Sequence, residues 1–190
     1  MADEDAARWD AKYRGRPLPQ PAPSAALRSV ASWIPRDGRL LDLAGGDGGQ
    51  AVWLATQGLE VTLCDVSSVA LGRAKEVATT ADAELTTQCL DLEGEPLPAG
   101  PWAAVLCSNY LQASLWRAVF DVLKPGGVAI WLHPTVENLS RHEKPSRRFL
   151  LAPGQGRALF GAAGFVIDFA AEDWVGERHL SRVVGHRPHA

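Results

Sequence analysis

The chain has 190 residues, 46% of them hydrophobic and 22% charged, with a formal net charge of −3. That is the length and mix of one globular domain able to bury a core without staples. The slight acidity speaks against a protein that tracks nucleic-acid phosphates, which carries a basic excess. No apolar run nears the roughly 20 residues of a membrane span, and the start Ala2-Asp3-Glu4-Asp5 is unlike a secretory signal. The expectation is a cytoplasmic protein without membrane or nucleic-acid partners.

Taken in chain order, Asp3 to Tyr13 predicts a short helix, and the alternate prolines from Pro17 to Pro23 predict an extended tether, because each fixes φ and removes a donor. Ser24 caps a helix carrying Leu27, Val30, Ala31 and Ile34 on one face, which Pro35 stops. Arg39–Leu43 reads as a short apolar strand ending in a Gly-rich turn. Gly49–Gln57 then reads as a helix closed by Gly58. Leu59–Cys64 is a second strand, Ser67 caps a second long helix, and Leu85–Leu90 alternates as a third strand. Trp102–Cys107 is a fourth strand. Leu111, Leu115, Val119 and Val122 recur at helical spacing, and the turn Lys124 to Gly127 leads into a fifth strand, Val128–Leu132. Beyond it, His133 to Arg148 is polar and irregular, Gln155–Ala163 is helical, and Phe165–Ala170 and Leu180–Val184 are strands. The polar connection between those two strands is too short for a crossover helix, so they pair antiparallel. Apolar strands alternating with helices imply a parallel sheet covered on both faces. The fold class is therefore α/β, a doubly wound, mostly parallel seven-stranded sheet with an antiparallel C-terminal hairpin.

Such sheets bind ligands beyond the carboxyl ends of their strands, where strand order reverses. After the first strand stands Asp42-Leu43-Ala44-Gly45-Gly46-Asp47-Gly48, whose glycines let backbone approach a ligand. Asp65 and Val66 follow the second strand, about 20 residues on, the spacing at which a carboxylate meets ribose hydroxyls. Asp91-Leu92 follow the third strand, Ser108-Asn109-Tyr110 the fourth, and His133 the fifth. His133 is placed to act as a base or to hold an acceptor. Arg147 and Arg148, with Arg141, make the segment after it basic, as a lid over an anionic acceptor would be. Cys64, Cys89 and Cys107 stand singly within strand-like runs and read as buried free thiols; no Cys/His cluster has metal-ligand spacing, so no metal is expected.

These motifs resemble the class I S-adenosylmethionine methyltransferases, whose first motif reads Asp/Glu-x-Gly-x-Gly-x-Gly; here it stands as Asp42-x-Ala44-x-Gly46-x-Gly48. The resemblance continues through Asp65, Asp91 and Lys124-Pro125-Gly126-Gly127. Within the class it is nearest the small tellurite-resistance and thiopurine methyltransferase-type proteins, through Trp9-Asp10-x-x-Tyr13, Ala51 to Ala55 and Phe149 to Gly154. It implies a Rossmann-like methyltransferase fold and S-adenosylmethionine as cofactor, with S-adenosylhomocysteine as product and a small-molecule acceptor. It further implies that Asp42 orients the amino-acid end of the cofactor, that Asp65 meets the ribose, and that Asp91 lies near the adenine amino group. Trp9 and Tyr13 would form a lid near the sulfonium. Residues 1–23 would then be lid helix and tether, 24–132 cofactor core, 133–148 acceptor loop, and 149–190 helix and hairpin. Ala44 departs from the motif, and is tolerable there if its φ is negative. A binding module without turnover, or an NAD-type oxidoreductase, would share the glycines. The acid at Asp42 and the closing hairpin favour the methyltransferase.

Overall fold

Five strands, joined by helices except for the loop between the third and fourth, lie side by side in the computed structural model, which describes residues 2–189. They are β1 (Arg39–Leu43), β2 (Glu60–Asp65), β3 (Leu85–Cys89), β4 (Trp102–Ser108) and β5 (Leu123–Pro134), all mutually parallel. β6 (Val166–Val175) and β7 (Arg178–His186) complete a seven-stranded sheet of order β3-β2-β1-β4-β5-β7-β6, with β7 antiparallel to both its neighbours. The helices are α1 (Ala2–Tyr13), α2 (Ala25–Ser29), α3 (Gly49–Thr56), α4 (Ser68–Thr80), α5 (Leu115–Val122) and α6 (Gln155–Ala163).

Strand side chains alternate between the two faces, and both faces are covered. Leu41, Leu43, Val105, Cys107 and Trp131 join one apolar cluster with Trp116 and Phe160 from α5 and α6. Leu40, Ala104, Leu106, Ile130 and Leu132 join the other with Leu27, Leu54 and Ala74 from α2, α3 and α4. This two-sided burial is why the central strands read as unbroken apolar runs. On the first face Trp116 lies 4.6 Å from Trp131 and 4.5 Å from Phe160, ring centre to ring centre.

Local chemistry sets the helix starts as expected. Ser24 Oγ accepts from Leu27 N–H at 3.1 Å, and Ser67 Oγ from Ala70 N–H at 3.1 Å. Three readings are corrected. β5 begins at Leu123, so the Lys124–Gly127 turn lies within it. The polar stretch from Glu172 to His179 is mostly strand: Val175 pairs with Arg178 across the two-residue turn Gly176-Glu177, with Gly176 at φ +61°. Its charges do not break the strand, because Asp173 accepts both 2.7 Å bonds from Arg182 Nη2 across the hairpin. Cys89 is exposed while Cys64 and Cys107 are buried, because β3 is an edge strand.

Gly48 fixes how closely α3 approaches α4. It sits at φ +80°, and a Cβ there would lie 2.6 Å from Ala74 Cβ. Gly48→Ala is expected to cost about 2 kcal/mol through left-handed strain and overpacking. Urea unfolding should show a lower midpoint at an unchanged slope, and an unmoved midpoint would show that the helix pair yields freely.

Candidate active site

The strand order reverses between β1 and β4, and the chain leaves both strands through a left-handed residue. Ala44 has φ +52° and Asn109 φ +60°. Asn tolerates that region, whereas alanine is strained there. The expectation of a negative φ at Ala44 is thus overturned: the motif's glycine position does need the left-handed backbone, and this chain accepts the strain. Above these two exits opens a cavity of about 730 Å³.

The Gly-rich turn forms its floor. Gly46 N–H donates to Asp65 Oδ2 at 2.8 Å, and Ser67 N–H to Asp65 Oδ1 at 2.9 Å, so the carboxylate ties the turn after β1 to the start of α4. Each oxygen keeps a lone pair for a further donor. Asp65 is buried, which raises its pKa, while the bonds from Ser67 and Gly46 pull it back down. A Cβ on Gly45 would strike Leu63 and come within 2.6 Å of Asp42 Oδ2, and one on Gly46 would strike the Tyr13 hydroxyl. Only glycine therefore leaves this floor open. Asp42 lies beneath it, 1% exposed, with neither oxygen hydrogen-bonded. Burial, then the nearby charge of Asp65, pushes its pKa up to about 8.

Most predicted site residues converge on this cavity. Ala44, Gly45, Gly46, Asp65, Val66, Asp91, Leu92, Ser108, Asn109, Tyr110 and His133 line it, as do Trp9 and Tyr13 of α1. Asp42 supports the floor from below. Gly48 lies outside the lining and spaces α3 from α4. Arg147 and Arg148 occupy an exposed 3-10 turn outside the lining, where Arg148 stacks 4.6 Å over Phe149, itself a lining residue.

Sequence reasoning missed Gln50 and Arg178, both of which line the cavity. Gln50 follows the Gly-rich turn directly, a position at a helix start that could have flagged it. Its amide donates to Ser108 Oγ at 3.3 Å, and its carbonyl accepts from Ser24 Oγ at 2.7 Å. Arg178 had no signal while the hairpin was read as an irregular connection.

α1 roofs the cavity and is pinned in place. Asp10 Oδ1 accepts from Ser67 Oγ at 2.6 Å and from Val69 N–H at 3.2 Å, and the Ser67 bond above all holds its pKa below the ordinary carboxylate value. Arg73 donates to the carbonyls of Arg16 at 2.9 Å and Pro17 at 2.6 Å, clamping the tether to α4. The Trp9 and Tyr13 rings lie 6.0 Å apart, centre to centre.

At the opposite end His133 is 3% exposed, with Nε2 3.0 Å from the Phe149 carbonyl. A carbonyl only accepts, so Nε2 carries the proton and Nδ1, buried without a partner, keeps its lone pair. Burial pulls the His133 pKa down to about 4, leaving the imidazole neutral at physiological pH. Tyr110 donates its hydroxyl to Gln112 at 2.8 Å, and its carbonyl accepts from Trp131 Nε1 at 3.1 Å.

Residues 40–127 match the family described as a methyltransferase domain. The tRNA 5-carboxymethoxyuridine methyltransferase of Escherichia coli is 27% identical over 130 residues, 64% of this chain and 50% of that protein. The chain thus spans about half the length of that curated relative. Among solved structures, an S-adenosylmethionine-dependent methyltransferase from Mesorhizobium loti superposes with a TM-score of 0.69 at 20% identity, covering 86% of this chain and 98% of that one. TehB from Haemophilus influenzae superposes at 0.72 and 14% identity, covering 87% and 63%. Residues 40–127 thus match a methyltransferase domain, and the chain shares its fold with solved S-adenosylmethionine-dependent methyltransferases.

Proposed function

We propose that the protein transfers a methyl group from S-adenosylmethionine to a small acceptor. The observation that carries this is the buried, unpartnered Asp42 beneath a glycine floor that Asp65 holds in place. Two neighbouring buried carboxylates, one of them without any donor, call for a cation, and the cofactor carries an ammonium and a sulfonium; a dinucleotide pyrophosphate would meet repulsion instead. When bound, S-adenosylmethionine supplies an electrophilic methyl on sulfur.

The chain's residues then divide the work. Gly45 and Gly46 admit the amino-acid end, Asp42 gives up its proton as the ammonium arrives and balances its charge through the floor, and Asp65 accepts from the ribose hydroxyls. Asp91, with Val66 and Leu92 beside it, takes the adenine end. Trp9 and Tyr13 close the roof against water, and their ring faces favour a cation beneath them. The lone pair of His133 Nδ1 accepts a hydrogen bond from an acceptor hydroxyl, amine or thiol and so orients it, while the proton leaves to solvent. With a neutral leaving group the reaction needs no metal from the protein.

A small acceptor suits this cavity, because the pinned α1 and the segment carrying Pro145 and Phe149 flank it from both sides. The Escherichia coli relative is named for a tRNA nucleotide, but the net charge of −3 gives no basic track for a nucleic-acid backbone. Deletion of residues 1–16 is expected to leave the sheet folded and lower turnover. A circular-dichroism melt beside an assay for S-adenosylhomocysteine release checks this, and loss of folding would make α1 structural rather than a lid.

S-adenosylhomocysteine is expected to raise the melting temperature by mass action while NAD leaves it unchanged. Release of S-adenosylhomocysteine across a panel of small thiols, amines, alcohols and acids, with bulk tRNA as a further arm, then tests turnover. A response to NAD alone would overturn the cofactor reading, and turnover on tRNA alone would overturn the small acceptor.

Asp42→Asn separates stability from binding. The folded pKa of Asp42, about 8, exceeds the ordinary 3.8, so the folded state holds the extra proton and its stability falls as pH rises between those values. The variant should melt above the parent, by a larger margin at pH 8 than at pH 5. Its affinity for S-adenosylhomocysteine should weaken, because the ligand's ammonium draws the proton off Asp42 in the parent whereas the amide cannot ionise. Thermal melts at the two pH values and calorimetry check both halves.

A further inference from the structure

The acceptor end of the cavity contains a cation that the protein leaves without a counter-charge. Arg178 opens β7 and lines the cavity together with His133, Pro145 and Phe149. Desolvation alone lowers its guanidinium below the ordinary arginine value, with no carboxylate acting on it. Among the described residues no salt bridge reaches it. The other cations in the lining are engaged: Arg8 binds Asp5 at 2.7 Å, and Lys12 and Arg16 lie 4.0 and 5.5 Å over the rings of Trp9 and Tyr13.

The position of Arg178 is built from both sides. His179 donates its N–H to Asn138 Oδ1 at 3.1 Å, and its carbonyl accepts from Asn138 Nδ2 at 2.5 Å and Thr135 N–H at 3.1 Å. The side chains of His179 and Thr135 meet at 2.7 Å, and His142 Nε2 lies 2.6 Å from the carbonyl of Glu177. Asn138 and Thr135 are each 2% exposed. A hairpin tip ordinarily frays, yet here both neighbours of Arg178 are tied to the segment after β5. A second unsatisfied group stands at the same end, the buried Nδ1 of His133.

We propose that Arg178 recognises a carboxylate on the methyl acceptor, and so selects carboxylate-bearing small molecules over their neutral isosteres. This rests on the reading of the cavity as a site for S-adenosylmethionine and a small acceptor, and narrows the acceptor. The planar guanidinium offers a fork that matches a carboxylate in two parallel bonds. Arg178 is solvent-exposed at the cavity rim, and a cation there without a partner gains from an anion that a neutral isostere cannot replace. Asp65, Asp91 and Glu93 line the cofactor end, so a carboxylate is repelled there and drawn to Arg178.

The test is binding to protein saturated with S-adenosylhomocysteine, using the pairs benzoate and benzamide, phenylacetate and phenylacetamide, and butyrate and butyramide. Tryptophan fluorescence reads occupancy, since Trp131 lies 5.8 Å from His133. At least one acid should bind about ten-fold more tightly than its amide. That preference should fall within about two-fold in Arg178→Gln, survive in part in Arg178→Lys, and persist in Arg147→Gln/Arg148→Gln. An acid preference retained in Arg178→Gln, or none in the parent across all pairs, would overturn the assignment. Calorimetry with S-adenosylhomocysteine on each variant separates the two claims. Failure of the parent to bind it defeats the cofactor reading, whereas normal binding without acid preference defeats Arg178 alone.

Discussion

The reversal of strand order between β1 and β4 is the constraint on which the site depends. Two parallel strands whose connections run to opposite sides cannot both be covered at their carboxyl ends, and a crevice results. In this chain the opening is enforced by backbone conformation as well as topology, because Ala44 and Asn109 both turn the chain away in left-handed geometry. Non-glycine residues hold such angles only where the surroundings over-determine them. Here the surroundings are a sheet buried on both faces and an Asp65 carboxylate bonded to the Gly46 and Ser67 amides.

From that opening follows a division of charge along the sheet edge. Carboxylates collect over β1 to β3, where burial raises both Asp42 and Asp65 and Asp42 has no hydrogen-bond donor. Over β5 and β7 the groups are a neutral imidazole and an unneutralised guanidinium. A cofactor with cationic groups and an acceptor with an anionic one would sit in register with this gradient. α1 spans it as a roof, and its anchor at Asp10 doubles as support for the N-terminus of α4, so holding the roof and ordering the turn after β2 are mechanically linked.

The core of this arrangement was legible because it is written in local patterns. Apolar runs of strand length, Ser24 and Ser67 as caps, and acids just after strand ends give element type, order and edge without tertiary knowledge. What stayed hidden depends on partners distant in sequence. Arg178 gains meaning only once Gly176-Glu177 is seen as a two-residue turn and Asn138 is found 41 positions away holding His179. Clustered charge at Arg147 and Arg148 is legible in the sequence, but not that the 3-10 turn carrying them exposes them to solvent. The motif position of Gly48 is legible too, but not that its missing Cβ makes room for Ala74.

A crystal structure of the protein grown with S-adenosylhomocysteine tests the cofactor assignment most directly. The ligand should lie in the cavity above Ala44 and Asn109, ribose hydroxyls on Asp65 and adenine beside Asp91. Its amino-acid end should rest on Gly45-Gly46, and its sulfur should face the end that holds His133 and Arg178. A ligand bound elsewhere, or in this cavity with its amino-acid end at Asp91 and its adenine over Gly45-Gly46, would contradict the assignment of the Asp42–Asp65 pair as the cation-seeking floor of the site.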